Sequence, residues 1–146
     1  MARIKIDLPD NFSFITSIPV RISDVNYGGH VGNDAILSLI HEARMQYLKH
    51  FGYSELELEG VGLIMADAAI EFRNELFYGD TIIVSVACAE FSKVGFDIYY
   101  KLEKNADQAQ NEKRTVVAVA KTGMVCYDYS NKRIASIPEE ARKNLQ

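Results

Sequence analysis

Positive charge, cysteine and long apolar runs are all scarce in this chain, and each scarcity excludes something. There are 16 Lys and Arg against 20 Asp and Glu, a net charge of -4. That argues against nucleic acid as a default partner, because gripping a phosphate backbone wants a basic face. A local basic patch for one small anionic ligand stays open. The 2 cysteines, Cys88 in VSVACAEF and Cys126 in GMVCYDY, lie in strand-like stretches with no metal or redox spacing between them. Buried reduced thiols are expected. No stretch approaches the ~18 to 20 apolar residues of a membrane span, and the opening MARIKIDLPD has no signal-peptide run, so a cytoplasmic protein without a membrane partner is expected. Phosphate-loop, nucleotide and metal-binding motifs are missing, and no cofactor is inferred.

What is present suits one domain over residues 1–146. At 48% hydrophobic and 25% charged residues the composition is that of a globular protein, and a chain this long buries roughly 70% of its unfolded surface. The polar stretch NADQAQNEK, residues 105–113, is too short to separate a pair of domains. FSFITSIPVRI (12–22) reads as a strand. DAILSLIHEARMQYLKHF then places Ile36, Ile40, Ala43, Tyr47 and Phe51 at helical spacing, with Leu37, Leu39 and Leu48 widening the face. Asn33 or Asp34 is expected to cap its start and Gly52 to end it. Four β-rich runs follow, at 62–73, 80–91, 95–104 and 114–129, joined by short turns that favour antiparallel pairing. A capping box from Ser136 to Glu139, with Pro138 in the first turn, predicts a short terminal helix. The fold class is therefore α+β, an antiparallel five-stranded sheet around one long central helix. Its uncovered edge or outer face predicts a homodimer or homotetramer.

Between the first strand and the helix lies RISDVNYGGHVGND, residues 21–34, with two aspartates, two asparagines, a histidine and three glycines. Solubility alone does not demand this density. A loop entering a helix N-terminus gathers unpaired N–H groups at the positive end of the dipole, the place to hold a carbonyl or an oxyanion. Gly28, Gly29 and Gly32 allow close approach of a ligand.

The stretch VRISDVNYGGHVGNDAILSLIHEAR resembles the hot-dog fold, in its 4-hydroxybenzoyl-CoA thioesterase-like branch of acyl-CoA thioesterases: an extended V-R segment, an acid four before the histidine, then Asn and a helix carrying E-A-R. FRNELFYGD is similar to that family's strand end and Gly-Asp turn, with Glu75 where proline is usual. The resemblance implies hydrolysis of an acyl-CoA or acyl-carrier-protein thioester and an aspartate at position 26, as nucleophile or base. Asn26 stands there instead, and an amide can do neither job.

Three other acids are candidates for the vacant role. Asp24 is displaced by about 6.6 Å, two strand rises, which a side-chain rotation cannot close. Asp67, isolated in LIMADAAIEF, is expected to be a base with a raised pKa, against a structural role on the other face of its strand. Glu42, on the helix, is the third, because acids on this helix serve in other hot-dog thioesterases; a pairing with Gln46 is its ordinary alternative. The catalytic set read from the sequence is thus Asn26, His30, Asp67 and Glu42, with the oxyanion held near Val31 to Asn33. Tyr27, Gly29, Val31, Gly32 and Asn33 are expected to bind substrate. Two further readings stand beside hydrolysis: a domain that binds acyl thioesters without turnover, and an enoyl-CoA hydratase suggested by DVNYGGH, which is similar to the D-x-N-P-x-H motif of other hot-dog proteins. Against that motif the histidine lies one residue late and Tyr27 replaces the proline.

Overall fold

The computed structural model describes residues 1–106 and 113–146. Most of the polar stretch expected between the last two long strands therefore lies outside the described residues. The long elements follow the sequence pattern: β1 (Phe14–Pro19), α1 (Asn33–His50), β2 (Gly62–Phe72), β3 (Thr81–Ala89), β4 (Gly95–Asn105) and β5 (Arg114–Asp128). A two-residue strand not foreseen, β6 (Arg133–Ile134), pairs with β5, and α2 (Glu139–Leu145) ends the chain. All pairings are antiparallel, in the order β1-β3-β4-β5-β2.

Period-two alternation builds the inner face of this sheet. Ile82, Val84 and Val86 on β3, Ile98, Tyr100 and Leu102 on β4, and Ala118, Ala120 and Met124 on β5 are all buried. Helix α1 meets them with Ile36, Leu39, Ile40, Ala43, Tyr47 and Leu48, one stripe at helical spacing. Full burial of each such aliphatic side chain is worth about 1.5–3 kcal/mol. The opposite stripe of α1, with Leu37, Ser38 and His41, is exposed, so Leu37 does not join the core as the periodicity suggests.

Arg44 is the exception in the buried stripe. Its Nε donates to Glu55 Oε1 at 2.5 Å and its Nη1 to the Tyr100 hydroxyl at 3.3 Å, which in turn pairs with Thr122 Oγ1 at 2.8 Å. A buried guanidinium needs such partners. The chain links α1 to β4 and β5 and shows which face of β5 looks at the helix: the one with Ala118, Ala120 and Thr122. The outer face is partly covered by the residues before β1, where the Ile6 N–H donates to Glu71 Oε2 at 2.7 Å and Lys101 lies over the Phe12 ring.

Two expected caps are corrected. The N-cap of α1 is Gly32, with Asn33 already helical and no side-chain cap bond; the C-terminal turn does end at Gly52, whose φ is 82°. At α2 the N-cap is Pro138, so the Ser136 capping box does not form. The preceding residues are held extended instead, with the Ala135 N–H on the Cys126 carbonyl, the Ile137 N–H on the Lys93 carbonyl and the Ile137 side chain buried.

Candidate functional site

After β1 the backbone closes into a 3-10 turn, Ile22–Asp24, because the Asp24 carboxylate accepts the Arg21 N–H at 2.8 Å and lies 3.4 Å from the Arg21 guanidinium. Asp24 is buried in this role. Val25 and Val31 then form a bridge, the Asn26 N–H donates to the His30 carbonyl at 2.9 Å, and Gly29 takes φ 83° at the tip, which only glycine adopts cheaply. The sequence thus folds into a small hairpin that sets Asn26 opposite His30.

The two side chains are oriented by the same hairpin. Asn26 Oδ1 accepts the Gly28 N–H at 2.9 Å, leaving Nδ2 as the group turned towards Gly32. His30 Nδ1 lies 3.1 Å from the Val31 carbonyl, and because a carbonyl can only accept, Nδ1 carries the proton. In the neutral ring Nε2 is then the acceptor.

The mouth of α1 opens directly behind this hairpin. The Val31 N–H is bonded to the Leu76 carbonyl at 2.8 Å and the Gly32 N–H to the Asp24 carbonyl at 3.2 Å, so neither can hold an oxyanion, contrary to expectation at the first end of the Val31–Asn33 range. The first intrahelical bond runs from the Ile36 N–H to the Gly32 carbonyl at 3.2 Å. Ahead of it, the N–H groups of Asn33, Asp34 and Ala35 make no hydrogen bond among the described residues. Open donors at the positive helix end are an anion site in waiting.

Clefts flank the mouth on two sides. One, of about 230 Å³, is lined by His30, Asn33, Ile36, Phe72, Arg73 and Leu76. It exists because FRNELFYGD folds against the hairpin: Leu76 takes the Val31 N–H, and the Phe77 N–H is held by Asp80 Oδ2 at 2.9 Å. The other, of about 340 Å³, is lined by Asp34, Leu37, Ser38, His41, Glu55 and Met65. There His41 Nε2 lies 3.4 Å from Glu55 Oε2.

Not every residue singled out in the sequence reaches this place. Tyr27 projects wholly into solvent at the hairpin. Asp67 faces away from α1: it pairs opposite Gly123 and is bonded by Lys121 Nζ at 2.8 Å and the Gly123 N–H at 3.0 Å, on the face of β5 opposite Thr122. Bonding to the Lys121 ammonium holds its carboxyl below the usual carboxylate range, the reverse of the raised value expected. Glu42 lines a third cleft with β1 and accepts the Gln46 amide at 3.0 Å. It sits nine residues past the start of α1, about 13 Å along the axis. Neither acid is within reach of the helix mouth.

Two contributors escaped the sequence reading. Asp34, weighed there only as a cap, lines the second cleft. Glu55, from the connection after α1, is brought in by the buried Arg44; an arginine on the apolar stripe of a helix was the available signal.

The thioesterase-like superfamily matches residues 20–145. A protein of Aquifex aeolicus (strain VF5) is 27% identical over 135 residues, covering 91% of this chain and 98% of its own. The 1,4-dihydroxy-2-naphthoyl-CoA hydrolase of Nostoc punctiforme is 26% identical over 134 residues, covering 88% of this chain and 83% of its own. The structure of 4-hydroxybenzoyl-CoA thioesterase from Pseudomonas sp. strain CBS-3 is similar with a TM-score of 0.78 at 14% identity, over 92% of this chain and 99% of that one. That likeness is one of fold, and the fold is the hot-dog. Matched from residue 20 to residue 145, this chain belongs to the thioesterase-like superfamily.

Proposed function

We propose that the protein hydrolyses an acyl thioester carried on CoA or on acyl carrier protein. The observation that carries this reading is the trio of open N–H groups at Asn33, Asp34 and Ala35, placed beside the Asn26 amide and the His30 ring. A thioester carbonyl laid on those donors gains most as it becomes an oxyanion, which is the condition for lowering a barrier rather than only binding substrate. Asn26 Nδ2 donates to the carbonyl or to the attacking water, and His30 positions that water through Nε2. The backbone at Gly29, Val31 and Gly32 shapes the approach, with Tyr27 free to lie along the carrier arm.

The activities of the relatives, a dihydroxynaphthoyl-CoA hydrolase and a hydroxybenzoyl-CoA thioesterase, make aromatic acyl-CoA the first class to assay. Release of free thiol from aromatic, short, medium and long acyl-CoA and from acyl carrier protein tests the proposal; no turnover on any of them removes it. A homodimer or homotetramer completes the reading, supported by exposed Leu37 on α1 and exposed Ile64, Met65 and Phe72 on edge strand β2. A monomer by light scattering at micromolar concentration would contradict the predicted assembly.

Asn26 favours one second reading, a domain that binds thioesters without hydrolysing them. Asn26→Asp separates the two. A large gain of hydrolysis marks a dormant site, whereas a loss shows the amide to belong to a working one. The hydratase reading needs Asp24 to hold water, and Arg21 already occupies that carboxylate.

A further inference from the structure

We propose that Asp34 is the general base of this site, supplying in the first turn of α1 the carboxylate that position 26 lacks. The inference rests on the hydrolase reading and assigns its proton transfer to one residue. A base must come within hydrogen-bond reach, direct or through one water, of the proton it removes. Three other acids are already engaged: Asp24 by Arg21, Glu55 by Arg44, and Asp67 by Lys121 on the far face of the sheet. Glu75 lines the first cleft with His30 and Asn33, but of these acids it is Asp34 that shares the Gly32 flank with Asn26. Glu42 lies more than two turns down the helix.

Asp34 is differently placed. Its Oδ1 lies 2.6 Å, and Asn26 Nδ2 3.6 Å, from the point where a Cβ on Gly32 would stand. The two groups are therefore no more than about 6 Å apart, a gap that one bridging water spans. No ion pair or hydrogen bond among the described residues engages the Asp34 carboxylate, and it lines the cleft that opens beside the mouth of the helix. Gly32 itself has φ -70° and ψ 154°, a conformation open to any residue. The room that a glycine leaves there is occupied by the Asp34 carboxylate, which a Cβ would displace.

The step then balances. Asp34 takes one proton from a water held by Asn26 Nδ2 while the water oxygen bonds to the thioester carbon. The oxyanion rests on the first-turn N–H groups. On collapse the C–S bond breaks, and the leaving sulfur receives the proton from Asp34, giving a free thiol and a carboxylic acid.

The test measures thiol release from benzoyl-CoA and octanoyl-CoA across pH for the native protein, Asp34→Asn, and Asn26→Asp combined with Asp34→Asn. The expected result is a fall in kcat of about a hundredfold or more for Asp34→Asn with KM within a few-fold, loss of the acid limb of the pH–rate profile, and recovery of at least tenfold in the double variant. Recovery would not follow if Asp34 only supported the helix end. Retention of kcat within threefold and of the same acid limb in Asp34→Asn overturns the assignment while leaving the hydrolase reading standing. If the native protein releases thiol neither from these two probes nor from the wider panel of acyl-CoA and acyl carrier protein thioesters, both fall together.

Discussion

Gly32→Ala separates stability from chemistry at the mouth of α1. The new Cβ would stand 2.6 Å from Asp34 Oδ1, where ordinary contact begins at 3.4 Å. The carboxylate must retreat by about 0.8 Å, which a terminal side-chain group does by rotation, and a misplacement near 1 Å can cost about a hundredfold in rate. Stability moves little, because the terms oppose. Alanine is a poorer N-cap than glycine by about 0.5–1 kcal/mol. Reduced freedom of the unfolded chain returns about 0.4–1 kcal/mol, since φ at this position is already -70°. A net change within about 1 kcal/mol shifts Tm by no more than about 4 °C in a chain of this size. Thiol-release kinetics and a thermal melt on the same sample give both numbers. A kcat within threefold of native, or a drop in Tm beyond about 10 °C with the loss of rate explained by unfolding, would refute this account of the glycine.

Tyr47→Phe should leave the protein as stable or more so, by about 1 kcal/mol, because the Tyr47 hydroxyl is fully buried without a hydrogen-bond partner among the described residues; a lower urea midpoint would show that a partner is lost. Burial raises the thiols of Cys88 and Cys126 to about 12 and about 11, so at pH 8 their thiolate fractions fall at least about a hundredfold below that of a free cysteine. Native protein should accordingly react with a disulfide reagent only slowly, and both thiols at once on unfolding. Fast labelling of the native protein contradicts that. The Asp67 carboxyl should titrate by NMR below the ordinary carboxylate range and return towards it in Lys121→Met. Its depressed value is a stabilising contribution present above the unfolded pKa and lost as pH falls through the folded one. The contribution stays under about 1 kcal/mol, since the side chain is largely exposed and screened by solvent.

Local pattern alone determined much of this protein. Alternation in residues 81–89 and 95–105, the helical stripe from Ile36 to Leu48 and the glycine-rich entry to α1 are each readable within a window of a dozen residues, and each element formed where its pattern lies. The resemblance carried by the hairpin and by FRNELFYGD named the fold. Tertiary structure decided which acids share a site. A bulge between Met65 and Asp67 resets the alternation of β2, so the side chain that seemed stranded among apolar neighbours turns outward to Lys121. Arg44 is buried beside Glu55, eleven residues on, and Tyr100 of β4 and, through it, Thr122 of β5 extend the same chain of hydrogen bonds. Which N–H groups stay open at the helix mouth depended on Leu76 and Asp24 claiming the first two. Sequence periodicity reports which face of an element is apolar; what a polar side chain meets depends on strand register and on carbonyls brought in from distant turns.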